Sequence, residues 1–87
     1  MAYRVTFKAS AIKELDRLPK GTRERVLARV ESLRDTPRPS GATKLQAANN
    51  LWRIRIGDYR VVYLIDDPHE LVDVRIVAHR REVYRGL

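Results

Sequence analysis

The sequence predicts an α+β fold, a small β-α-α-β-β-β domain: one mostly antiparallel four-stranded sheet with a helical hairpin on one face. Three observations carry that expectation. Residues 51–65, LWRIRIGDYRVVYLI, alternate with period two on either side of a Gly57-Asp58 pair, the sequence form of a β-hairpin. Two segments before it place apolar residues at helical spacing. Two further alternating runs, one at the start and one after the hairpin, supply the remaining strands.

In chain order, Tyr3-Arg4-Val5-Thr6-Phe7 alternates and marks a short first strand. Ser10 is placed to cap a helix whose apolar residues are Ala11, Ile12, Leu15 and Leu18, and Pro19-Lys20-Gly21 ends it. Val26, Leu27, Val30 and Leu33 form a second stripe, with Arg23, Glu24, Arg25, Arg29, Glu31 and Arg34 mostly outside it. That charged face fits a solvated helix surface, or one on which some of the arginines hold a partner or an RNA backbone. Residues 36–50, TPRPSGATKLQAANN, read as a connecting loop with Leu45 as its anchor.

A two-residue loop at 57–58 puts Ile56 opposite Tyr59, Arg55 opposite Arg60 and Arg53 opposite Val62. Opposed residues share a face, so Trp52, Ile54, Ile56, Tyr59, Val61 and Tyr63 make an apolar side and Arg53, Arg55 and Arg60 collect on the reverse. Like charges across a ladder cost about 0.2–1 kcal/mol per pair, which points to an anion from outside the chain. A three-residue loop would move Arg60 to the apolar side, a worse register. Asp66-Asp67-Pro68-His69 is a turn, after which Val72, Val74, Ile76 and Ala78 alternate with Asp73, Arg75, Val77 and His79. The tail, residues 80–87, is long enough for one helical turn.

Composition narrows the function classes. Eighty-seven residues make one small domain with a single core. No apolar run approaches the ~20 residues of a membrane span, and MAYRVTF lacks the apolar segment of a signal peptide. With no cysteine there is no disulfide or thiolate chemistry, and a cytoplasmic protein with no membrane partner is expected. The net charge is +7. Arginine dominates it, and the planar guanidinium grips phosphate or carboxylate with two hydrogen bonds, so a nucleic acid, an acidic protein or both is the expected partner. Residues 1–50 hold 11 basic and 5 acidic side chains against 7 and 6 in residues 51–87. The hairpin arginines are therefore a local patch, and most of the excess charge lies elsewhere.

Common enzymatic signatures are missing. The glycines form neither a phosphate-binding loop nor a dinucleotide fingerprint, and no cofactor is expected. His69 and His79 lack metal-ligand spacing, and the Asp66, Asp67 and His69 group is what a proline-containing turn needs anyway, so no metal is expected. What remains is a convergence of Arg53, Arg55 and Arg60 with a last strand that carries Arg75 and His79 and leads to Arg80, Arg81 and Tyr84. Metal-free RNA cleavage needs such groups: one to draw the 2′-hydroxyl proton, cations for the phosphorane, and a donor to the leaving 5′-oxygen. The plainer alternatives are a strand-closing His79, a core Tyr84 and arginines that solubilise an open sheet.

LWRIRIGDYRVVYLID followed by VDVRIVAHRREVYR closely resembles the RelE/ParE superfamily of type II toxins, the RelE branch in particular. The likeness runs from the opening strand and the AIKELDRLP helix to the last tyrosine. It implies an endoribonuclease, an mRNA interferase acting in the ribosomal A site of the 70S ribosome, inhibited by an acidic cognate antitoxin and touching operator DNA only through that antitoxin. By the resemblance, Arg53 and Arg55 fall where RelE-like toxins place RNA-binding basic residues, often Lys. Arg60 matches the arginine that holds the scissile phosphate, Arg80 the arginine that stabilises phosphate or leaving group, and Tyr84 the catalytic tyrosine. Arg81 takes the place of Arg80 if the match shifts by one. The Arg80-to-Tyr84 spacing is shorter here than in the best-known relative. Where the family's proposed general base is Lys, this chain has Arg, which does not deprotonate, so that role passes to Tyr84 or His79. The alternatives are a ParE-like inhibitor of DNA gyrase without nuclease activity, or a catalytically idle antitoxin-binding partner.

Overall fold

In a computed structural model, residues 2–45 and 50–79 are described. They form β1 (Arg4–Phe7), α1 (Ala9–Asp16), α2 (Lys20–Ser32), β2 (Thr43–Lys44), β3 (Leu51–Ile56), β4 (Tyr59–Asp66) and β5 (Leu71–His79). The strands make one sheet in the order β1-β5-β4-β3-β2, antiparallel except where β1 runs parallel to β5. The α+β architecture and the mostly antiparallel sheet are as the alternation predicts. The sheet has five strands rather than four, because Thr43–Lys44, inside the expected loop, pairs with Arg53 and Trp52 at the edge.

The core lies between the two helices and one face of the sheet. Ala11 and Leu15 of α1, Val26 and Val30 of α2, and Leu33 just past α2 pack on Ile54, Ile56, Val61, Tyr63, Ile65, Val72, Val74 and Val77. Burying each larger apolar side chain here contributes about 1.5–3 kcal/mol, which is why both stripes face the sheet. Two stripe residues do not join them: Ile12 is 46% and Leu27 39% exposed.

Helix boundaries depart from the expected signals. Ser10 lies within α1, whose N-cap position is Lys8 and has no side-chain cap. The Lys8 N–H donates to the carbonyl of Val74 (2.8 Å), so the chain turns from β1 directly into the helix. Pro19-Lys20-Gly21 does not end α1, which closes at Asp16; Pro19 is the N-cap position of α2, and Lys20 and Gly21 begin it. Proline at a helix start loses no hydrogen bond, because the first N–H groups have no partner within the helix.

A further departure sets the site. Val61 pairs with Val77 and Val62 with Ile76, but Tyr63 pairs with Val74, so β5 carries one extra residue there. That bulge inverts the alternation of β5. Val72 and Val74 before it, and Val77 after it, all enter the core, whereas Ile76 and Ala78 turn to the opposite face.

Candidate functional site

The hairpin has the expected register: Ile56 opposite Tyr59, Arg55 opposite Arg60, Arg53 opposite Val62. Gly57 has φ +60° at the first loop position, a conformation that glycine adopts without steric cost and that suits a two-residue hairpin loop. The alternation then directs Arg53, Arg55 and Arg60 away from the helices. Val62 shares that face and is fully buried, and across β4 from Val62 and Arg60 stand Ile76 and Ala78. Cations beside apolar side chains act on an anion through a medium less polarisable than water, which strengthens each contact.

The bulge separates residues that simple alternation would hold together. His79 pairs with Tyr59, on the side of the sheet that carries the helices, and the two rings meet edge to face at 5.6 Å. They line a recess of about 230 Å³ with Glu14, Arg17, Leu18, Val77 and Ala78. Glu14 Oε1 there accepts the Val77 N–H at 3.1 Å, on a stretch of β5 beyond its pairing with β1. Arg75 sits in the bulged stretch, exposed, and donates to Asp73 at 2.9 Å. Arg80, Arg81 and Tyr84 lie outside the described residues.

At the hairpin tip two guanidinium groups meet one residue. Arg55 Nε donates to the Gly57 carbonyl at 3.4 Å. From α2, the Arg25 Nη atoms come within 3.7 and 3.9 Å of the position a Cβ on Gly57 would occupy. The sequence marks Arg25 only as one of several charged residues on the outer face of the second helix, and no local pattern places it at the hairpin tip.

The far end of the sheet holds a second polar cluster. Asp67 accepts from the Tyr3 hydroxyl (2.6 Å) and from Arg38 Nη2 (2.8 Å), and the Arg38 guanidinium lies 5.2 Å from the centre of the Trp52 ring. The bond from Arg38, then that from Tyr3, lowers the Asp67 carboxyl below its ordinary range; the same carboxylate raises the Tyr3 hydroxyl. Tyr63 is fully buried, donates to the Pro37 carbonyl at 2.8 Å, and has its hydroxyl pushed up to about 12 by that burial. Together these contacts fasten the segment after α2 onto the sheet. Asp66, the neighbour of Asp67, accepts from the His69 N–H (3.2 Å) and faces its ring Nδ1 (2.8 Å), as turn chemistry requires.

Comparison with known proteins places this geometry among toxins. Residues 5–84 match the family described as ParE toxin of the type II toxin–antitoxin system parDE. The chain is 36% identical over 84 residues to toxin RelE of Mycobacterium tuberculosis, covering 95% of this chain and 87% of that protein. It is 33% identical to toxin RelG of the same organism, covering 98% and 99%. Among solved structures, the archaeal RelE–RelB complex from Pyrococcus horikoshii contains a chain that superposes with a TM-score of 0.82 at 30% identity, covering 92% of this chain and 97% of that one. An arginine-to-alanine variant of Escherichia coli RelE in the free state gives a TM-score of 0.82 at 29% identity, covering 98% and 93%.

Proposed function

Because this chain belongs to the RelE/ParE superfamily as a RelE-type toxin of a toxin–antitoxin module, we propose that it is a metal-independent endoribonuclease that cuts mRNA on the 70S ribosome in the cytoplasm. The observation that carries this reading is the placement of Arg55 directly opposite Arg60, beside Arg53, on the sheet face that the helices leave uncovered. A polyanion bound there relieves the repulsion that the register imposes.

In this reading Arg60 grips the scissile phosphate and Arg53 and Arg55 hold the flanking RNA. The 2′-oxygen, losing its proton to a base, attacks phosphorus; the bond to the 5′-oxygen breaks and that oxygen takes a proton from water, leaving a 2′,3′-cyclic phosphate and a 5′-hydroxyl. Arg80, or Arg81 in its place, stabilises the phosphorane and the leaving oxygen. Tyr84 is assigned the base. The alternative, His79, is paired with Tyr59 on the helix side of the sheet. A tyrosine must fall by about 3 units from ~10 to be half-ionised at pH 7, worth ~4 kcal/mol, and a cluster of guanidinium groups supports that shift.

The partner that restrains the toxin is an acidic cognate antitoxin with a segment that folds on binding, and operator DNA is reached only through it. The arginine face attracts its carboxylates, and exposed Ile12 and Leu27 provide apolar anchors. An association rate that does not fall with ionic strength would argue against the electrostatic part.

A second reading is favoured by the match to the ParE family description: a gyrase inhibitor that performs no chemistry. Inducible expression with primer extension on cellular mRNA, and gyrase-linked DNA breaks scored in parallel, separates the two. Cut messages without breaks support the nuclease; breaks without cuts support the gyrase inhibitor. Neither, with antitoxin binding intact, identifies an idle antitoxin-binding partner.

A further inference from the structure

Most of the excess charge lies in residues 1–50, outside the arginine set assigned to the scissile phosphate. The hairpin tip shows where part of it is used. Arg25 on α2 and Arg55 on β3 approach the same residue, Gly57, from different elements: Arg55 Nε reaches its carbonyl at 3.4 Å and the Arg25 Nη atoms stand 3.7 and 3.9 Å from its Cβ direction. Among the described residues neither guanidinium is in a salt bridge with a carboxylate, although Asp58 is the next residue of the turn. Both side chains are exposed. Two cations brought to one glycine, with no salt bridge to a carboxylate among the described residues, form half of an anion site.

The tip is continuous with the arginine face, since Arg55 belongs to both: it opposes Arg60 across the ladder and donates to the loop carbonyl. Glycine leaves the turn without a side chain, so a strand can pass close to its backbone. We propose that Arg25 and Arg55 form a second phosphate position, at which an RNA strand that lies against Arg60 crosses the hairpin tip and passes onto α2. This rests on the ribonuclease reading and extends it: the RNA held at Arg60, Arg53 and Arg55 continues past the hairpin tip to Arg25, and α2 is part of the RNA surface. Backbone contacts of this kind set the position of the strand and carry no base preference. A peptide carboxylate would suit one guanidinium as well, but Arg60, Arg55 and Arg25 follow one another from the sheet face over the hairpin tip, an order that a polyanionic strand can follow and a single carboxylate cannot.

The test uses a noncleavable RNA, 2′-O-methylated at the cut position, bound to the protein and to its Arg25→Gln and Arg25→Lys variants over a range of salt, both free and presented on 70S ribosomes. Losing one single-strand phosphate contact lowers the slope of log affinity against log salt by about 0.7. Arg25→Gln should show that loss, with binding weakened roughly 3- to 10-fold at low salt, while Arg25→Lys keeps most of both. A short RNA that spans only the cut site should bind both variants as it binds the wild type. If the wild type binds RNA and Arg25→Gln binds it with the same affinity and slope, the second phosphate position is wrong. If Arg25→Gln weakens only antitoxin binding, the tip is a protein contact and the inference is equally overturned. If the wild type neither binds nor cuts RNA in either setting, the ribonuclease reading itself has failed.

Discussion

Arg55 and Arg60 stand directly opposite each other on one sheet face, two like charges on neighbouring strands. Such a pair costs about 0.2–1 kcal/mol, and in a domain of this size each kcal/mol moves Tm by about 4–8 °C. Arg55→Gln should therefore raise Tm by roughly 1–8 °C at low ionic strength, with the gain fading as salt screens the pair. The same change should weaken toxicity. A variant that melts lower than the wild type in low salt would show that the opposed charges carry no penalty.

Arg60→Ala removes the group assigned to the scissile phosphate. Loss of one preorganised contact of that kind costs about 10²–10³-fold in rate. The far-ultraviolet spectrum and melting behaviour should stay close to wild type, because the Arg60 side chain points away from the core. Full toxicity at equal expression would remove Arg60 from the phosphate site.

Tyr84 and His79 are distinguished by paired substitutions. Tyr84→Phe keeps the ring and deletes the hydroxyl, so stability should hold while cleavage falls sharply. His79→Gln disturbs the edge-to-face contact with Tyr59, so it should lower Tm slightly and leave the cleavage rate per folded molecule nearly unchanged. The reverse pattern of rates would move the base to His79.

Acid should loosen the Tyr3–Asp67–Arg38 cluster. The Asp67 carboxyl is lowered on folding, so its contribution to stability is present above its ordinary 3.8 and is lost as pH falls through the lower folded value. Asp67→Asn should therefore be less stable than wild type near neutrality, and the difference should close below pH 3.8. Alkali acts on Tyr63 in the opposite sense: its raised hydroxyl stabilises the fold below 10.0, and that contribution is lost as pH climbs toward about 12. Denaturant midpoints measured across pH for the wild type and the Asp67→Asn and Tyr63→Phe variants check both ends. A constant gap between wild type and Asp67→Asn down to pH 2 would contradict the acid half.

What could be read from residues 51–65 was the register, because strict alternation and a Gly-Asp loop leave few ways to pair two strands. Residues 72–79 misled for a physical reason. Ile76-Val77-Ala78 is apolar on both parities, so alternation cannot reveal where an extra residue is inserted, and the bulge changes which face His79 joins. Pro19 reads equally well as a stop or a start, since proline suits the residue after one helix and the first turn of the next. Thr43–Lys44 becomes a strand only through its pairing with β3. Arg25 at Gly57 and Asp67 between Tyr3 and Arg38 are contacts between segments far apart in sequence, which no local pattern contains.

The parallel pairing of β1 with β5 sets an order of events during synthesis. Arg4 to Phe7 take their partners from Leu71 to Val74, and Thr6 is clasped by Asp73 through a bond of 2.7 Å. A ribosome making this chain releases β1 long before its neighbour exists, and the strand must wait while the helices and the hairpin emerge. Contacts this far apart along the chain form late. The nascent toxin therefore stays open along that edge until residues 71–74 have left the ribosome, and its sheet closes only after both helices and the hairpin have been made.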